Sequence, residues 1–524
     1  MNKILKGTAL LAGVVLLLAG CKQHSEKKEE VATEMQKDTL WYQENYRPQF
    51  HFSPIAHWMN DPNGLVYNDG IYHLFYQYYP KDIVWGPMHW GHATSNDLIH
   101  WEHKPIALYP DSLGYIFSGS AVVDKNNTTG FAKNGETPLV AIYTYHDPVG
   151  AEKGTNTYQT QGIAYSLDNG DTWSTYENNP VIGNEGQKDF RDPKVFWYEK
   201  GNYWVLSLVA GDHAQLYKSQ DLKSWKLMST FGQGYGDHGG VWECPDLFKM
   251  KVEGTTEERW VLFISINPGG PNSGSATQYF VGDFDGEKFT TTQKGAKWVD
   301  HGTDDYAGVT YNNTPNGERI FLGWMSNWNY GQKVPTKTWR SAMTLPRDLK
   351  LTKINKQYYL ESYPIKAFHT IVEDGVASST KIAANEIFSK SFEKLNQSVV
   401  SFTTQNKNFK INLKNNKGDV MTFVADGDRH DFYIDRSKSG IVDFEKDFSD
   451  HLHHMNIADL STNEYEVKLV IDVASVELFL NKGQYVMTDI MFPQSPYTSI
   501  EVLNTSNETM QINNLKIQPV KSIW

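Results

Sequence analysis

The sequence predicts an all-β protein in which a five-bladed β-propeller precedes a C-terminal β-sandwich, and three observations support this prediction. Short apolar runs alternate with turn residues along the chain after about Trp41. A turn motif recurs within the first part of the chain. The composition then changes near residue 350. Beyond it tryptophan is absent until the last residue, and lysine and asparagine become more frequent.

The apolar runs have the length of β-strands. Residues 70–80, 201–211 and 259–269 are examples, and each is bounded by turn residues. The sequence contains no long stretch with the periodicity of an amphipathic helix. These patterns together favour strands joined by tight turns.

A short motif with serine, aspartate and a following tryptophan indicates an internal repeat. Each copy follows a predicted pair of strands and is placed to close one small antiparallel sheet. Repeated sheets of this size are typical of a β-propeller. The copies are residues 95–98 before Trp101, residues 219–222 before Trp225, a looser copy at 166–168 with Trp173, and a candidate fourth at 282–285.

Beyond the propeller, short alternating strands continue, as in residues 398–405 and 476–483, which is the pattern of a separate β-sandwich. The expected organisation therefore has five parts. They are a signal peptide at 1–20, a lipidated N-terminus and flexible tether at 21–46, a propeller at 47–350, a linker at 351–375 and a sandwich at 376–524.

The N-terminus has the layout of an export signal. Lys3 and Lys6 precede an apolar run at residues 9–19 that is too short to span a bilayer comfortably. The run ends in Leu-Ala-Gly-Cys, which resembles the lipidation motif of bacterial lipoproteins. This resemblance implies that Cys21 carries lipid and anchors an exported protein to a membrane, facing the periplasm or the cell surface. The alternative is an ordinary cleaved signal followed by a chance cysteine.

The composition excludes several classes of protein. The formal net charge is −12 and the sequence contains no basic block, so nucleic acid is not an expected partner. The chain has only 2 cysteines, Cys21 and Cys244, which excludes a framework of disulfides. Aromatic residues make up 13% of the chain. They suit a β-rich core or stacking faces for sugars, and composition alone favours the core.

Three carboxylates stand out by their local sequence: Asp61 within WMNDPNG, Asp192 within FRDP, and Glu243 within WECPD. A proline after an aspartate favours an extended backbone, which can hold the carboxylate at the end of a strand. The same Asp-Pro pair occurs at residues 147–148, where it is interpreted as a plain loop. Asp-Pro alone is therefore weak support, and the aromatic flanks of the three carboxylates carry more weight.

The spacing of the candidate residues supports a shared site. Asp61, Ser118, Asp192, Glu243 and Asp305 each begin a segment that is predicted to be the inner strand of a blade. The equivalent ends of inner strands converge on the axis of a propeller. We therefore expect these groups, although distant in sequence, to meet in one funnel.

The neighbours of two carboxylates predict opposite tuning. Arg191 is adjacent to Asp192 and is expected to keep that aspartate ionised. Glu243 lies between Trp242 and Cys244, a less polar setting that is expected to raise its pKa and favour a role as an acid. Two carboxylates with opposed tuning are what the hydrolysis of a glycosidic bond requires.

The blocks WMNDPNG, FRDP and WECPD resemble the three signature segments of glycoside hydrolase family 32, which contains invertases, inulinases and levanases. The resemblance covers nearly the whole mature chain, and the blocks occur in the family's order. Further segments that are similar to the family are residues 85–101, 117–124, 335–349, 435–440 and 472–483.

The resemblance implies a five-bladed propeller followed by a sandwich, and it implies roles for individual residues. Asp61 matches the nucleophile, Glu243 the general acid/base and Asp192 the stabiliser of the transition state. Either Trp324 or Trp328 matches a further aromatic wall. The residues that match the pocket for a terminal fructose are Asn60, Gln77, Trp85, Phe117, Ser118 and Arg191.

The expected function is that of a retaining hydrolase that releases fructose from inulin, levan, fructo-oligosaccharides or sucrose at chain ends. Its partner is then a fructan or a sucrose-type carbohydrate. An endo-acting levanase, a sucrose-preferring invertase, a fructosyltransferase and a sugar-binding lipoprotein without activity are alternatives. This chemistry needs no cofactor, and no metal is expected because the histidines match no zinc-binding spacing. Those histidines are His51, His57, His73, His89, His92, His100 and His103.

Overall fold

The computed structural model describes residues 41–460 and 462–524, which are built almost entirely from β-strands. Residues 41–44 form a turn that belongs to a separate N-terminal unit, and Asn45–Trp524 form one compact unit. The expected signal peptide, Cys21 and most of the tether lie outside the described residues. Within the described residues the helices are one short α-helix, α1, Pro148–Glu152, and four 3-10 helices, Pro315–Gly317, Lys366–Thr370, Leu395–Gln397 and Lys446–Phe448.

The first blade begins with a strand that carries the first signature block. Its first two strands are joined by a two-residue turn, Asp69 and Gly70, which both have positive φ (45° and 83°). This is the backbone that a tight hairpin requires and that Asp-Gly adopts readily. The strands are β1 His57–Asn68, β2 Ile71–Tyr79, β3 His89–Ser95 and β4 Glu102–Leu108, with β20 Trp339–Arg340 added parallel to β1.

The second and third blades are four-stranded antiparallel sheets. Their central strands are buried along almost their whole length because neighbouring blades cover both faces. The second blade contains β5 Tyr115–Val123, β6 Leu139–His146, β7 Gln159–Ser166 and β8 Ser174–Thr175. The third contains β9 Phe190–Tyr198, β10 Tyr203–Ala210, β11 His213–Ser219 and β12 Lys226–Phe231.

The fourth and fifth blades complete the ring. The fourth contains β13 Val241–Lys251, β14 Glu258–Asn267, β15 Ala276–Phe284, β16 Phe289–Thr290 and β17 Lys297–Trp298. The fifth contains β18 Tyr306–Thr310, β19 Ile320–Met325, β21 Ala342–Met343, β22 Arg347–Ile354 and β23 Gln357–Pro364. The sequence predicts that the propeller ends at 350 and a linker follows at 351–375. In the structure β22 and β23 pair as the outer strands of the fifth blade, so this sheet continues to Pro364.

The repeated turn motif closes the third strand onto the fourth. In the first copy the Ser95 hydroxyl accepts the Leu98 N–H at 2.8 Å, and Asp97 Oδ1 accepts the His100 N–H at 2.8 Å. In the copy of the third blade, Asp221 Oδ1 accepts the Ser224 N–H at the same distance. Leu98 and Leu222 both have positive φ, of 65° and 61°. The motif therefore marks equivalent turns of the first and third blades, as the repeat predicts.

The C-terminal part is a sandwich of two six-stranded antiparallel sheets. Alternate side chains of strands such as β29, Asp431–Lys438, point into a core of phenylalanine, leucine and isoleucine between the sheets. One sheet has the order β24 Val376–Ile382, β35 Met510–Pro519, β26 Ser398–Thr404, β31 Tyr465–Asp472, β32 Ser475–Leu480, β33 Tyr485–Ile490. The other has the order β25 Ile387–Ser391, β34 Ser499–Asn504, β27 Asn408–Lys414, β28 Val420–Asp426, β29 Asp431–Lys438, β30 His453–Asn456. The all-β fold class, a propeller followed by a sandwich, is confirmed.

A buried network of charges joins the propeller to the sandwich. Arg347 of β22 is fully buried and donates hydrogen bonds at 3.0 Å to both Asp300 and Asp305 of the propeller. The same guanidinium binds Glu477 of β32 and, at 2.6 Å, the hydroxyl of Thr488 of β33. Because these charges have lost their water, each depends on its partners, and the two domains are held in one arrangement.

A buried histidine adds to the same joint. His51, in the segment that leads into the first blade, lies 2.8 Å from Asp472 and 2.7 Å from Glu477 through its two ring nitrogens. Burial alone lowers the pKa of His51, but the hydrogen bonds to the two carboxylates outweigh it and raise the pKa to about 9. At neutral pH an imidazolium therefore bridges two carboxylates of the sandwich.

No helix within residues 41–460 and 462–524 has both the length and the apolar character that are needed to cross a bilayer.

Candidate active site

Each of the five inner strands has a bulge near its first residues, at the same end of the propeller. The pairing is interrupted next to Asp61 in β1, Ser118 in β5, Asp192 in β9, Cys244 in β13 and Ala307 in β18. A bulge turns a side chain away from the regular alternation of a strand and is common beside active sites. Here the bulges aim side chains from separate blades toward the axis.

Side chains at and beside these bulges, with others from the adjoining loops, surround a cavity of about 340 Å³ at that end of the propeller. The nine sequence-predicted site residues of the described chain all line it, so the structure brings the predicted set together. They are Asn60, Asp61, Gln77, Trp85, Phe117, Ser118, Arg191, Asp192 and Glu243. The remaining lining residues are His146, Tyr158, Gln159, Asp189, Trp328 and Gln332.

Asp61 is fixed by hydrogen bonds to both of its carboxylate oxygens. The hydroxyl of Ser118 donates to Oδ2 at 2.6 Å, and the amide of Asn60 donates to Oδ1 at 3.0 Å. Asn60 is itself held by the indole N–H of Trp58 at 2.7 Å. Burial and, next, the charge of Glu243 raise the pKa of Asp61, and the two donated hydrogen bonds oppose this rise.

Asp192 is held through its backbone as well as its side chain. Its N–H donates to the Thr144 hydroxyl at 3.0 Å, and its Oδ2 accepts the Cys244 N–H at 3.0 Å. Its φ of 63° is uncommon for a residue with a Cβ, which indicates a backbone that its surroundings constrain. Burial raises the pKa of Asp192, and the charges of Glu243 and Asp61 add to this effect, although Arg191 opposes it.

Of the three candidate carboxylates, Glu243 is the one that Arg191 binds most closely. The Nη2 and Nε atoms of Arg191 donate to Glu243 Oε1 at 2.9 and 3.1 Å, whereas the Nε atom lies 3.9 Å from Asp192. The other oxygen of Glu243 accepts a hydrogen bond from the hydroxyl of Tyr306. Arg191 is oriented in turn by Asp189 at 2.8 Å.

The contacts of these two carboxylates therefore differ from those that their sequence neighbours predict. Arg191 is the expected partner of Asp192 and lies 3.9 Å from it, but its shorter hydrogen bonds cross to Glu243 of the neighbouring blade. Trp242 packs into the core between the third and fourth blades. Glu243 consequently lies in a polar setting and not in the apolar one that Trp242 and Cys244 predict.

The thiol of Cys244 lies between two of the carboxylates. Its Sγ atom is 3.8 Å from Asp61 Oδ2 and 3.7 Å from Asp192 Oδ2. Burial, together with these negative charges, raises the pKa of Cys244, so the group is a neutral thiol. One small side chain in contact with both carboxylates shows how closely Asp61 and Asp192 approach each other.

Aromatic rings form the wall on the side of the first two blades. Trp85 meets Phe117 edge to face with 6.0 Å between ring centroids, and Phe117 stacks on His146 at 4.3 Å. Trp328 lines the cavity from the fifth blade. Trp324 is fully buried behind it, with 5.0 Å between the two ring centroids. The aromatic wall that the sequence left open between these two is therefore Trp328.

Sequence reasoning missed several members of the site. The sequence predicts a plain loop around the Asp-Pro pair at residues 147–148. In the structure His146 lines the cavity, and Asp147 caps α1 by accepting the Val149 N–H at 3.0 Å. Asp305 was the expected member of the fifth blade, yet it binds Arg347, and Tyr306 reaches the site instead. The Asp-Pro pair could have been recognised as the start of a helix, because aspartate is a common N-cap and proline a common first residue. No pattern in the local sequence distinguishes Tyr306.

Within the described residues, no group of three or more histidine, cysteine, aspartate or glutamate side chains is arranged to hold a metal ion.

Comparison with known protein families gives two matches that together span most of the chain. Residues 51–364 match the glycosyl hydrolases family 32 N-terminal domain, and residues 367–519 match the glycosyl hydrolases family 32 C-terminal domain. The boundary between the matches coincides with the end of β23 at Pro364.

Individual proteins are similar to the chain over nearly its full length. A levanase of Bacillus subtilis (strain 168) is 45% identical over 502 residues, which cover 93% of this chain and 72% of the levanase. The crystal structure of an exo-inulinase from Aspergillus awamori superposes with a TM-score of 0.86 at 37% identity, covering 92% of this chain and 100% of that one. A fructofuranosidase from Schwanniomyces occidentalis in complex with fructose has a TM-score of 0.82 at 33% identity, covering 93% and 100%.

The crowding of carboxylates makes a prediction about stability. A pKa that is raised in the folded state means that ionising Asp61 costs stability at pH values above its unfolded value of about 4. We expect Asp61→Asn to raise the melting temperature at pH 7 by about 1–3 °C, since it removes this charge. The gain should shrink as the pH falls toward 4 and vanish below it, where the carboxyl group is protonated in both states.

Melting curves of wild type and variant between pH 4 and pH 8 measure this effect. The exposed Asp428, changed to Asn, is the matched control and should change the melting temperature little at any pH. A gain that does not depend on pH, or a loss at pH 7, would contradict the prediction.

Proposed function

The chain belongs to glycosyl hydrolase family 32, and we propose from this premise that it is an exo-acting hydrolase that releases fructose from the β-fructofuranosidic bonds of fructans and sucrose. The convergence of Asp61, Asp192 and Glu243 in one cavity carries the proposal. A pair of carboxylates that act on opposite sides of a glycosidic bond is the usual apparatus of such hydrolysis.

In the first step, Asp61 attacks the anomeric carbon of the terminal fructosyl unit. A covalent bond forms between an Asp61 oxygen and this carbon while the bond to the leaving oxygen breaks, and Glu243 gives its proton to that oxygen. In the second step, Glu243 takes a proton from water, whose oxygen attacks the anomeric carbon and frees Asp61. The configuration is therefore retained.

The contacts of Asp61 support its role as nucleophile. Ser118 and Asn60 donate hydrogen bonds to its two oxygens, which favour the charged form and oppose the effect of burial. These donors also fix the direction from which Asp61 approaches the sugar.

The contacts of Glu243 support its role as acid and base. Tyr306 and Arg191 hold one oxygen each, so the carboxyl group cannot rotate freely. A proton donor must keep this orientation while the bond to the leaving group breaks.

Asp192 is proposed to stabilise the transition state by contacts with the sugar hydroxyls. Its carboxylate is fixed by the Cys244 N–H, and a preorganised negative group lowers the energy of a sugar that develops positive charge. Gln77, Trp85, Phe117 and Arg191 complete the pocket for the terminal fructosyl unit.

The shape of the cavity supports action at chain ends. Beneath the carboxylates, Lys194 of β9 binds the carbonyl of Thr310 and lies 3.5 Å from Asp246. Ser120 of β5 binds the carbonyl of Pro193 at 3.0 Å. These contacts join the second, third, fourth and fifth blades beneath the carboxylates and support a closed base to the pocket.

The sides of the cavity are closed as well. The N–H of Trp85, in the loop after β2, donates to the Gln332 side chain of the fifth blade at 3.2 Å, which joins two walls. The wall on the side of the second blade is formed by Phe117 and His146. The wall on the side of the third blade is formed by Asp189 and Arg191. A pocket with a single mouth accepts a terminal unit, whereas endo-action requires a cleft that is open at both ends.

A non-catalytic sugar-binding protein is the alternative of a different class. All three carboxylates are present, hydrogen-bonded and directed into one cavity, which favours an active enzyme over a degenerate site. Transfer of the fructosyl unit to a second sugar uses the same intermediate, and the outcome depends on whether water or sugar attacks it.

We also propose that the enzyme is exported and anchored to a membrane through lipid on Cys21. Relatives that are 39% identical carry the name extracellular exo-inulinase, which supports export. The support for the anchor is the apolar run that ends in Leu-Ala-Gly-Cys.

Product analysis tests the proposed function. Incubation with levan, inulin and sucrose should give fructose as the only early product from the two polymers, and equal amounts of glucose and fructose from sucrose. A ladder of oligosaccharides from a polymer at early times would contradict exo-action. The Asp61→Asn variant, which should release no sugar, is the control for contaminating activity.

The carboxylates should differ in their dependence on the leaving group. Asp61→Asn should abolish hydrolysis of every substrate, and Asp192→Asn should reduce the rate by roughly 10²–10³. Glu243→Gln should impair sucrose far more than an activated aryl fructoside, because a good leaving group needs no proton. Rates of the three variants on both substrates measure this difference.

Azide provides a second readout for the Glu243→Gln variant. Added azide should partly restore breakdown of the fructosyl-enzyme and give a fructosyl azide of retained configuration, since azide needs no general base. Equal losses on sucrose and on the aryl fructoside in Glu243→Gln, together with turnover by Asp61→Asn, would mean that the assigned roles are wrong.

The proposed anchor is tested by fractionation. The full-length protein, expressed in a bacterial host, should partition with membranes, and Cys21→Ser should move to the soluble fraction because it cannot be lipidated. The buried Cys244, changed to Ser, is the matched control and should stay with the membranes. Equal partition of wild type and Cys21→Ser into the soluble fraction would contradict the anchor.

A further inference from the structure

Exposed apolar side chains are concentrated at one side of the pocket mouth. Among the described residues, nine large hydrophobic side chains remain exposed. Five of these belong to loops of the first and second blades, namely Val84, Trp85, Tyr109, Leu113 and Val149. Isolated exposed apolar residues are ordinary, but a group of them beside a ligand site indicates a contact surface.

The topology places all of these loops at the edge where the carboxylates lie. Inner strands start at this edge, so β2, β4 and β6 end there, and the segments that follow them lie around the mouth. Tyr109 and Leu113 follow β4, and Val149 lies in α1 after β6. We define the outer rim patch as Tyr109, Leu113 and Val149, the three residues that lie beyond the pocket lining.

Direct contacts hold the outer rim patch against strands of the first and second blades. The ring of Tyr109 lies 5.5 Å from that of His89 at the start of β3. The turn that carries Leu113 is closed by backbone hydrogen bonds between Asp111 and Gly114, and Tyr145 donates to Asp111 at 2.9 Å.

The same turn lies directly against His146, a pocket residue. A Cβ atom on Gly114 would lie 2.2 Å from the His146 carbonyl oxygen, so only glycine permits this approach. Val149 follows His146 by three residues in the same loop. The pocket wall and the outer rim patch are therefore parts of one continuous surface.

We propose that the outer rim patch binds the fructosyl units of a fructan chain that extend out of the pocket. This inference rests on the proposed function. Because the pocket has a single mouth, the rest of a bound chain must leave across the rim, and the first two blades offer the apolar side of it. Sugar rings present C–H faces that pack on tyrosine and aliphatic side chains, whereas their hydroxyls remain in water.

The patch should affect long substrates only. Sucrose has no fructosyl units beyond the bond that is cleaved, so it ends before the outer rim patch. A polymer gains contacts that hold it at the mouth without changing the chemical step, and such uniform binding lowers KM and leaves kcat unchanged.

The test is the triple variant Tyr109→Ala, Leu113→Ser, Val149→Ser of the full chain, assayed on sucrose and on the polymer that the wild type hydrolyses faster. We expect KM for the polymer to rise about three- to tenfold, with kcat and all constants for sucrose within about twofold. The matched control is Leu227→Ser with Ile387→Ser, which removes two similarly exposed residues from β12 and β25. It should leave both substrates unaffected.

The outcomes separate the patch from the activity itself. A wild type that releases no fructose from any substrate would overturn the proposed function. An active wild type whose triple variant keeps its KM for the polymer would overturn the patch alone, and would indicate that the surface meets another partner or none. Equal losses on sucrose and polymer would also overturn it, since they show damage to the pocket. The single variant Tyr109→Ser, which changes only an exposed ring, repeats the test if the triple variant melts at a lower temperature.

Discussion

The arrangement of the two domains depends on the buried guanidinium of Arg347. It binds Asp300 and Asp305 of the propeller together with Glu477 of the sandwich, and none of these groups has access to water. Removing one partner from such a network leaves an uncompensated charge, which costs about 3–5 kcal/mol. The charges therefore specify a single arrangement of the two domains. Apolar residues of the same volume would avoid the free-energy cost of removing charges from water, but they would not specify the arrangement in this way.

This joint continues into the active site. Asp305, which binds Arg347, directly precedes Tyr306, whose hydroxyl holds Glu243. The bulge at Ala307, with a φ of 53°, lies next in the strand. The sandwich thus contacts the segment that positions the proposed acid, although it contributes no residue to the pocket lining. These contacts support packing against the propeller as a role of this domain.

The sequence was sufficient to predict the features that repeat. Inner strands recur once per blade, so Asp61, Ser118 and Asp192 could be placed at equivalent strand ends before any contact was known. It was not sufficient to predict contacts between blades. Arg191 makes its shorter hydrogen bonds with Glu243 of the next blade and not with its sequence neighbour Asp192, and Tyr306 reaches the site only because the fifth blade closes the ring. Such pairings depend on the three-dimensional register, which no local pattern encodes.

The constrained geometry of the site is stabilised by the rest of the fold. Asp192, Cys244 and Ala307 all have positive φ, a conformation that costs about 1–3 kcal/mol at each residue. Burial and the mutual repulsion of Asp61 and Glu243 add to this cost. The bulges persist because regular hydrogen-bonded pairing continues below them in every blade. It follows that the proposed catalytic groups can be crowded and strained only because the strands that carry them are anchored at some distance from the chemistry.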